Sequence, residues 1–303
     1  MIQRFDKIAA DLPRPKHPSA NGAAALQELL GGKFGEMSTI MNYTFQSFNF
    51  RGRKEFRPFY DVIASICAEE FGHVEVISYA INMLLTGTTT RGMDPDSAPL
   101  KDAVDARNSY HFLASGQQAL PVDSQGNFWT GQHVFSSGNL KLDLLHNFFL
   151  ECGARANKMR VYEMVDDPCG RAAVGYLLVR GGVHVVAYAK ALEKLTGVDV
   201  GKLLPIPDLS NKKFDAAKKL EDEGLHLVLY RNSPTDFKRI DEIWNGTHPE
   251  DGKTLVVEQG PPEGFDPPDL DMEPQLVAPA GPDIDPQMFA DTAKKLFGLK
   301  VGT

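Results

Sequence analysis

Basic residues are in the minority: 32 Lys and Arg stand against 40 Asp and Glu, for a formal net charge of -8 and a pI near 5.5. Such a surface repels nucleic acid and anionic lipid, so neither is expected as a partner. Cysteine is also sparse. Cys67, Cys152 and Cys169 are odd in number and form no C-x-x-C pair, which excludes a disulfide framework and points to reduced, mostly buried thiols. No stretch reads as the roughly 18 or more apolar residues of a membrane span. The N-terminal Met1-Ile2-Gln3-Arg4-Phe5-Asp6 lacks a basic segment followed by an apolar run, so the expected location is the cytoplasm.

The 303 residues are 42% apolar and 24% charged, enough for one main domain with appendages. Residues 1–21 hold Pro13, Pro15 and Pro18 among charges and read as an arm. From about Ala23 to Phe48, Leu26, Leu29, Leu30, Phe34, Met37, Ile40, Met41, Phe45 and Phe48 step by three and four, the period of one long amphipathic helix. A second helix opens at Pro58 and runs to about Leu85. A third spans roughly Gly138 to Val165. A fourth begins after the Asp167-Pro168 start signal and stops near Leu195 before Gly197. Residues 86–136 form a long crossover with a possible short helix near Asp102 to Ala114 and a turn at Ser124-Gln125-Gly126-Asn127. One long link between two antiparallel pairs makes an all-α four-helix bundle over residues 22–197.

Residues 198–303 differ in character. Lys212 to Leu220 looks helical, Leu225 to Leu229 and Thr254 to Val257 look strand-like, and Gly260 to Pro286 carries eight prolines and seven acids with no Lys or Arg. That last segment cannot build its own core and is either disordered or extended along another surface. With the amphipathic Met288 to Phe297 pinning its far end, the whole reads as an extended tail with little regular structure that wraps a neighbouring subunit.

Polar residues interrupt the apolar stripes of all four helices. Glu36 falls on the first, Glu70 and His73 on the second, Glu151 on the third, His184 on the fourth. A lone carboxylate on such a face would cost several kcal/mol, and each therefore needs a partner. Glu70 and His73, three apart, can grip one ion from the same side of a helix. Glu69 and Glu75 point away from this seam and read as solvated charges. Dinuclear carboxylate bundles take one Glu from each of two helices and Glu-x-x-His from each of the other two. The departure is Gly181, where the second Glu-x-x-His would need an acid. Three carboxylates and two imidazoles remain: Glu70 would bridge, Glu36 and His73 would complete one ion, Glu151 and His184 the other. Oxygen and imidazole ligation suits manganese or iron, and two divalent ions among three acids leave a positive cluster open to small anionic ligands. Cys67 and Cys152 lie beside these residues but have no base to activate them and read as packing.

Glu36, Glu70-x-x-His73, Leu150-Glu151-Cys152-Gly153-Ala154-Arg155 and Leu177-Leu178-Val179-Arg180-Gly181-Gly182-Val183-His184 together resemble the non-haem manganese catalases, which are ferritin-like proteins. The resemblance covers nearly the whole chain, including crossover and tail, and Gly181 matches one branch of that family. It implies disproportionation of hydrogen peroxide to water and dioxygen at two manganese ions with bridging water, hydroxide or oxide, cycling between Mn(II)2 and Mn(III)2. It also implies that Lys158 is the cationic residue beside the ligands, that Tyr43 hydrogen-bonds a terminal carboxylate, and that Glu36 or Lys158 relays protons. A homo-hexamer with interlocking C-terminal tails follows from the family. Some members bind calcium at a subunit contact, for which Asp61 and Ser65 with Ser210 or Asn211 are the candidates, although the set is poor in acids. The rivals are a di-iron ferritin-like oxidase or ferroxidase and a structural coat or shell protein that keeps the bundle.

Overall fold

The computed structural model describes residues 7–86, 118–203, 209–270 and 286–298. The expected short helix near Asp102 lies outside them. The first bundle helix is not continuous, as its periodicity suggested, but is two: α1 (Ala20–Gly31) and α2 (Glu36–Phe48). Glycines cause the break. A Cβ at Gly31 would lie 2.4 Å from the backbone nitrogen of Val122, so the crossover runs hard against the helix end. A Cβ at Gly35, the residue before α2, would lie 2.8 Å from the Leu29 carbonyl. Glu36 therefore opens α2 instead of sitting mid-helix, and the positive end of the helix favours its carboxylate.

The other three helices follow their signals closely: α3 (Arg57–Leu85), α4 (Leu140–Met164) and α5 (Pro168–Thr196). The Asn139 side chain accepts from the backbone of Lys141 and Leu142, and Asp167 accepts from Cys169 at 2.7 Å with Pro168 in the first turn. Such caps satisfy amides that have no partner inside the helix. Gly197, at φ 73°, ends α5 in the left-handed conformation. Contrary to the sequence expectation, α5 is long and apolar enough to cross a membrane by length and composition, but 89% of its most apolar window is buried in the fold. It is the central core helix.

Two apolar clusters fill the bundle. One joins Leu26 and Leu29 to Ile77, Ile81, Val161 and Leu177. The other joins Tyr43, Val62 and Ile66 to Phe148, Val183 and Leu192. Each fully buried Leu, Ile, Val or Phe contributes about 1.5–3 kcal/mol. On α3 and α4, Glu70, His73 and Glu151 fall between the two clusters. In the crossover, Val122 bridges Phe128 around the expected turn.

After α6 (Val200–Leu203) and α7 (Asp215–Asp222), β1 (Val228–Arg231) and β2 (Val256–Gln259) pair in parallel, Val228 opposite Val256. These residues pack on their own chain's bundle: Leu229, Ile240, Ile243 and Trp244 join the second cluster, and the Ser65 hydroxyl donates to the Tyr230 carbonyl at 2.8 Å. The N-terminal arm finds its partner here too. Ile8 and Phe265 exchange backbone hydrogen bonds of 2.9 and 2.8 Å, and Lys7 pairs with Asp266. The proline-rich segment is described only to Leu270; α8 (Pro286–Phe297) follows it.

Candidate metal centre

The five stripe residues meet at mid-bundle, every one of them buried. Glu70 faces two ways: Oε2 lies 3.2 Å from His73 Nδ1, and Oε1 lies 2.8 Å from His184 Nδ1. Glu36 Oε2 is 3.3 Å from His73 Nδ1, and Glu151 Oε1 is 3.4 Å from His184 Nδ1. The two imidazoles stack with centroids 5.4 Å apart. Glu36–Glu70–His73 and Glu70–Glu151–His184 thus form two groups of donors sharing Glu70, each tight enough to hold a cation.

The donors fit metal better than they fit each other. Both Glu36 oxygens, Glu151 Oε2 and His184 Nδ1 are buried without a hydrogen bond of proper geometry, a costly state that a bound cation would relieve. The Lys158 ammonium is 2.9 Å from Glu36 Oε1, close enough for an ion pair although not aligned as a hydrogen bond. Burial works against that charge, but Glu36, then Glu151 and Glu70, hold its pKa above the usual lysine value. Burial also pushes the Glu36 carboxyl up, so the proton is contested between the two groups. The 2.9 Å contact to an ammonium favours its residence on Lys158. A Cβ at Gly181 would sit 3.2 Å from Lys158 Nζ and 3.9 Å from Glu151 Oε2. The missing acid at that position is what makes room for the lysine. The Tyr43 hydroxyl donates to Glu151 Oε1 at 2.6 Å, and burial, then Glu151, raise its pKa well above the ordinary tyrosine value.

One expectation is overturned. Glu69 is not a solvated charge but is buried, with Oε1 3.6 Å from His73 Nε2 and Oε2 3.5 Å from His184 Nε2. Arg180 clamps it through Nε at 2.5 Å and Nη2 at 3.1 Å. Burial would push Glu69 up, yet Arg180 and then His184 outweigh it and hold the carboxyl well below its usual range. Arg180 is itself bound by the carbonyls of Leu225 and Val228 and lies over the Tyr230 ring at 4.6 Å. Glu75, by contrast, is half-buried on the same helix. A further group went unnoticed in the sequence: the Thr39 hydroxyl is 2.8 Å from Glu70 Oε2 and 3.0 Å from the Glu36 carbonyl, two acceptors for one proton.

The manganese-containing catalase family matches residues 1–296. The chain belongs to the manganese-containing catalases. Members of this family disproportionate hydrogen peroxide at a dimanganese centre, and the ferritin-like helical bundle described above is their fold. The chain is 33% identical to a manganese catalase of Lactiplantibacillus plantarum over 79% of its own length and 84% of the relative's. It is 34% identical to YjqC, an uncharacterized protein of Bacillus subtilis, over 60% of this chain and 66% of that one. A manganese catalase of Anabaena, KatB, shares its fold at a TM-score of 0.54 and 23% identity, covering 78% of this chain and 98% of the other. These matches do not favour a di-iron oxidase or a coat protein.

The calcium candidates do not gather into one site among the described residues. Asp61 is held by Arg57 Nε at 2.6 Å, Ser65 serves β1, and Asn211 and the Ser210 carbonyl accept from Arg155 on α4.

Proposed function

We propose that Glu36, Glu70, His73, Glu151 and His184 hold two manganese ions in this chain, with Glu70 touching both, and that the protein disproportionates hydrogen peroxide there. The observation that carries the reading is the division of Glu70, one oxygen toward each histidine. Bound manganese supplies the two-electron redox capacity that reduces one peroxide to water and oxidises another to dioxygen. The protein's own residues do the rest. Glu69 lies 3.6 and 3.5 Å from the two Nε2 atoms, on the far side of each imidazole, so that each Nδ1 faces the bundle carboxylates and can ligate, as with a carboxylate behind a metal-bound imidazole. Tyr43 occupies Glu151 Oε1 and leaves Oε2 for a cation. Lys158 and Glu36 share a proton at the centre, placed to give it to or take it from a peroxide oxygen. The surrounding apolar clusters exclude bulk water.

Lys158→Met tests the proton role. General acid–base groups contribute about 10²–10⁴-fold. The variant should keep two manganese ions per chain while kcat falls within that range and the alkaline or acid limb of the pH profile changes. Unchanged kcat with full manganese would remove Lys158 from the mechanism.

We further infer a homo-oligomer, a hexamer in the family pattern, with the C-terminal segment wrapping a neighbour, in the cytoplasm. What supports the oligomer is an apolar face on α2 and α3, where Phe45, Phe48 and Phe71 are 41%, 73% and 47% exposed. Faces of this kind mark interfaces. Light scattering at micromolar concentration should give a mass near six chains, and a monomeric mass would reject the assembly.

A further inference from the structure

Apart from the bundle centre, one other group of residues among those described has metal-binding geometry, and it lies in the C-terminal region on the flank of the β1–β2 pair. His226, in the turn Leu225–Leu227, faces His248 and Asp251, whose loop closes between β1 and β2. We propose that His226, His248 and Asp251 form a second metal site, distinct from the manganese centre, that takes a single zinc ion and clips the C-terminal region shut.

The geometry is close to what zinc requires. Bonds of about 2.0–2.1 Å at tetrahedral angles put neighbouring donor atoms about 3.3 Å apart. Here His226 Nε2 is 3.0 Å from Asp251 Oδ2 and His248 Nδ1 is 3.6 Å from Asp251 Oδ1, and one donor atom from each residue lies within 4.8 Å of the others, so small side-chain shifts bring the three onto one cation. The rings stand edge to face at 5.1 Å, both buried, while Asp251 is 31% exposed. A water could complete a tetrahedron from the Asp251 side. Two imidazoles and one carboxylate with an open fourth position are a known zinc donor set.

The loop is also built in advance. The amide of His248 donates to the Lys253 carbonyl at 2.8 Å, that of Gly252 donates to the His248 carbonyl at 3.0 Å, and that of Lys253 to Asp251 Oδ1 at 3.0 Å. The His248 ring is buried, with Nδ1 turned toward Asp251 Oδ1. Its Nδ1 would give up only a 3.3 Å contact from the Glu250 amide. Among the described residues, Lys253 Nζ, 3.4 Å from Asp251 Oδ2 and 58% exposed, is the lysine that pairs with Asp251. His226 Nδ1 is buried with no hydrogen-bond partner, so the ring's polar engagement runs through the Nε2 that faces Asp251. Zinc here would tie the segment that supports Arg180, through Leu225 and Val228, to the loop before β2.

The test uses the manganese-loaded full chain, titrated calorimetrically with zinc chloride and then assayed for both metals after gel filtration. One zinc per chain with manganese content unchanged is the expected result. His248→Gln and Asp251→Asn should each weaken zinc binding by about tenfold or more, and leave manganese content and oxygen release as in the parent protein. Zinc that binds only by displacing manganese, no zinc uptake at all, or uptake unaltered in His248→Gln would overturn the site. Should the variants fail to fold, cobalt added to the manganese-loaded parent protein decides: a visible spectrum of tetrahedral intensity at one equivalent supports it, and a weak octahedral band refutes it.

Discussion

Glu70→Ala is expected to strip the protein of manganese and to abolish peroxide-driven oxygen release while the bundle stays helical. Glu70 turns one oxygen toward the Nδ1 of each histidine, at 3.2 and 2.8 Å, so its loss removes a ligand from each ion at once. Losing a residue that merely orients a metal ligand costs about 10–100-fold in affinity or activity. Loss of a shared ligand should exceed that range. The fold has little reason to fail. The two apolar clusters lie on either side of the centre, and alanine also relieves three buried acids of part of their mutual repulsion. His184→Ala should behave alike, retaining at most one ion. Glu69→Gln gives the contrast, a weakened but occupied centre. The measurements are metal content by mass spectrometry, oxygen evolution, and far-ultraviolet circular dichroism on the same samples. Two manganese ions per chain in Glu70→Ala, with oxygen release at the parent rate, would disprove the proposed ligation.

The ligand cluster was legible in the sequence because its residues break apolar stripes, and the stripes themselves fixed α3, α4 and α5 to within a few residues. Glu69 was not, and the reason is physical. Helix α3 is buried on two faces, the seam toward the bundle axis and a second face against which β1 packs. Periodicity reveals a buried face only when it is apolar, and here the second one carries an ion pair. A signal did exist: Glu69 is four before His73, and Arg180 is four before His184, so acid and base sit one helical turn from each imidazole. The split between α1 and α2 was equally written in Gly31, Gly32 and Gly35, but the apolar period continues across those glycines and masks the break. The parallel pairing of β1 with β2 is accompanied by contacts outside the strands, Ser65 of the bundle donating to Tyr230 and the Trp244 indole donating to the Leu227 and Val256 carbonyls, that no local pattern of four residues can announce.

Arg180→Met should be the most destabilising single change outside the apolar core. Arg180 has no solvent exposure, grips Glu69 with two nitrogens, and satisfies the Leu225 and Val228 carbonyls at 2.9 and 2.8 Å. Methionine fills much of the same volume but offers no donor. Glu69 is then left as a buried carboxylate with only the two imidazoles for company, and two carbonyls lose their partner. Breaking a buried pair in this way costs about 3–5 kcal/mol, which denaturant unfolding of the metal-free protein would read as a lower midpoint. Glu69→Gln alone should cost less, since Arg180 keeps an amide oxygen and its two carbonyls. The double variant Glu69→Gln/Arg180→Met separates the lost charge pair from lost packing: an amide no longer carries an uncompensated charge, so its stability should lie above that of Arg180→Met. If the two single costs simply add, the pair is not coupled and Arg180 acts through the Leu225 and Val228 carbonyls and its packing on Tyr230. Manganese affinity is the second readout. With Glu69 freed from its clamp the histidines lose their common orientation, so Arg180→Met should also loosen the metals, by about 10–100-fold, although it touches neither ion.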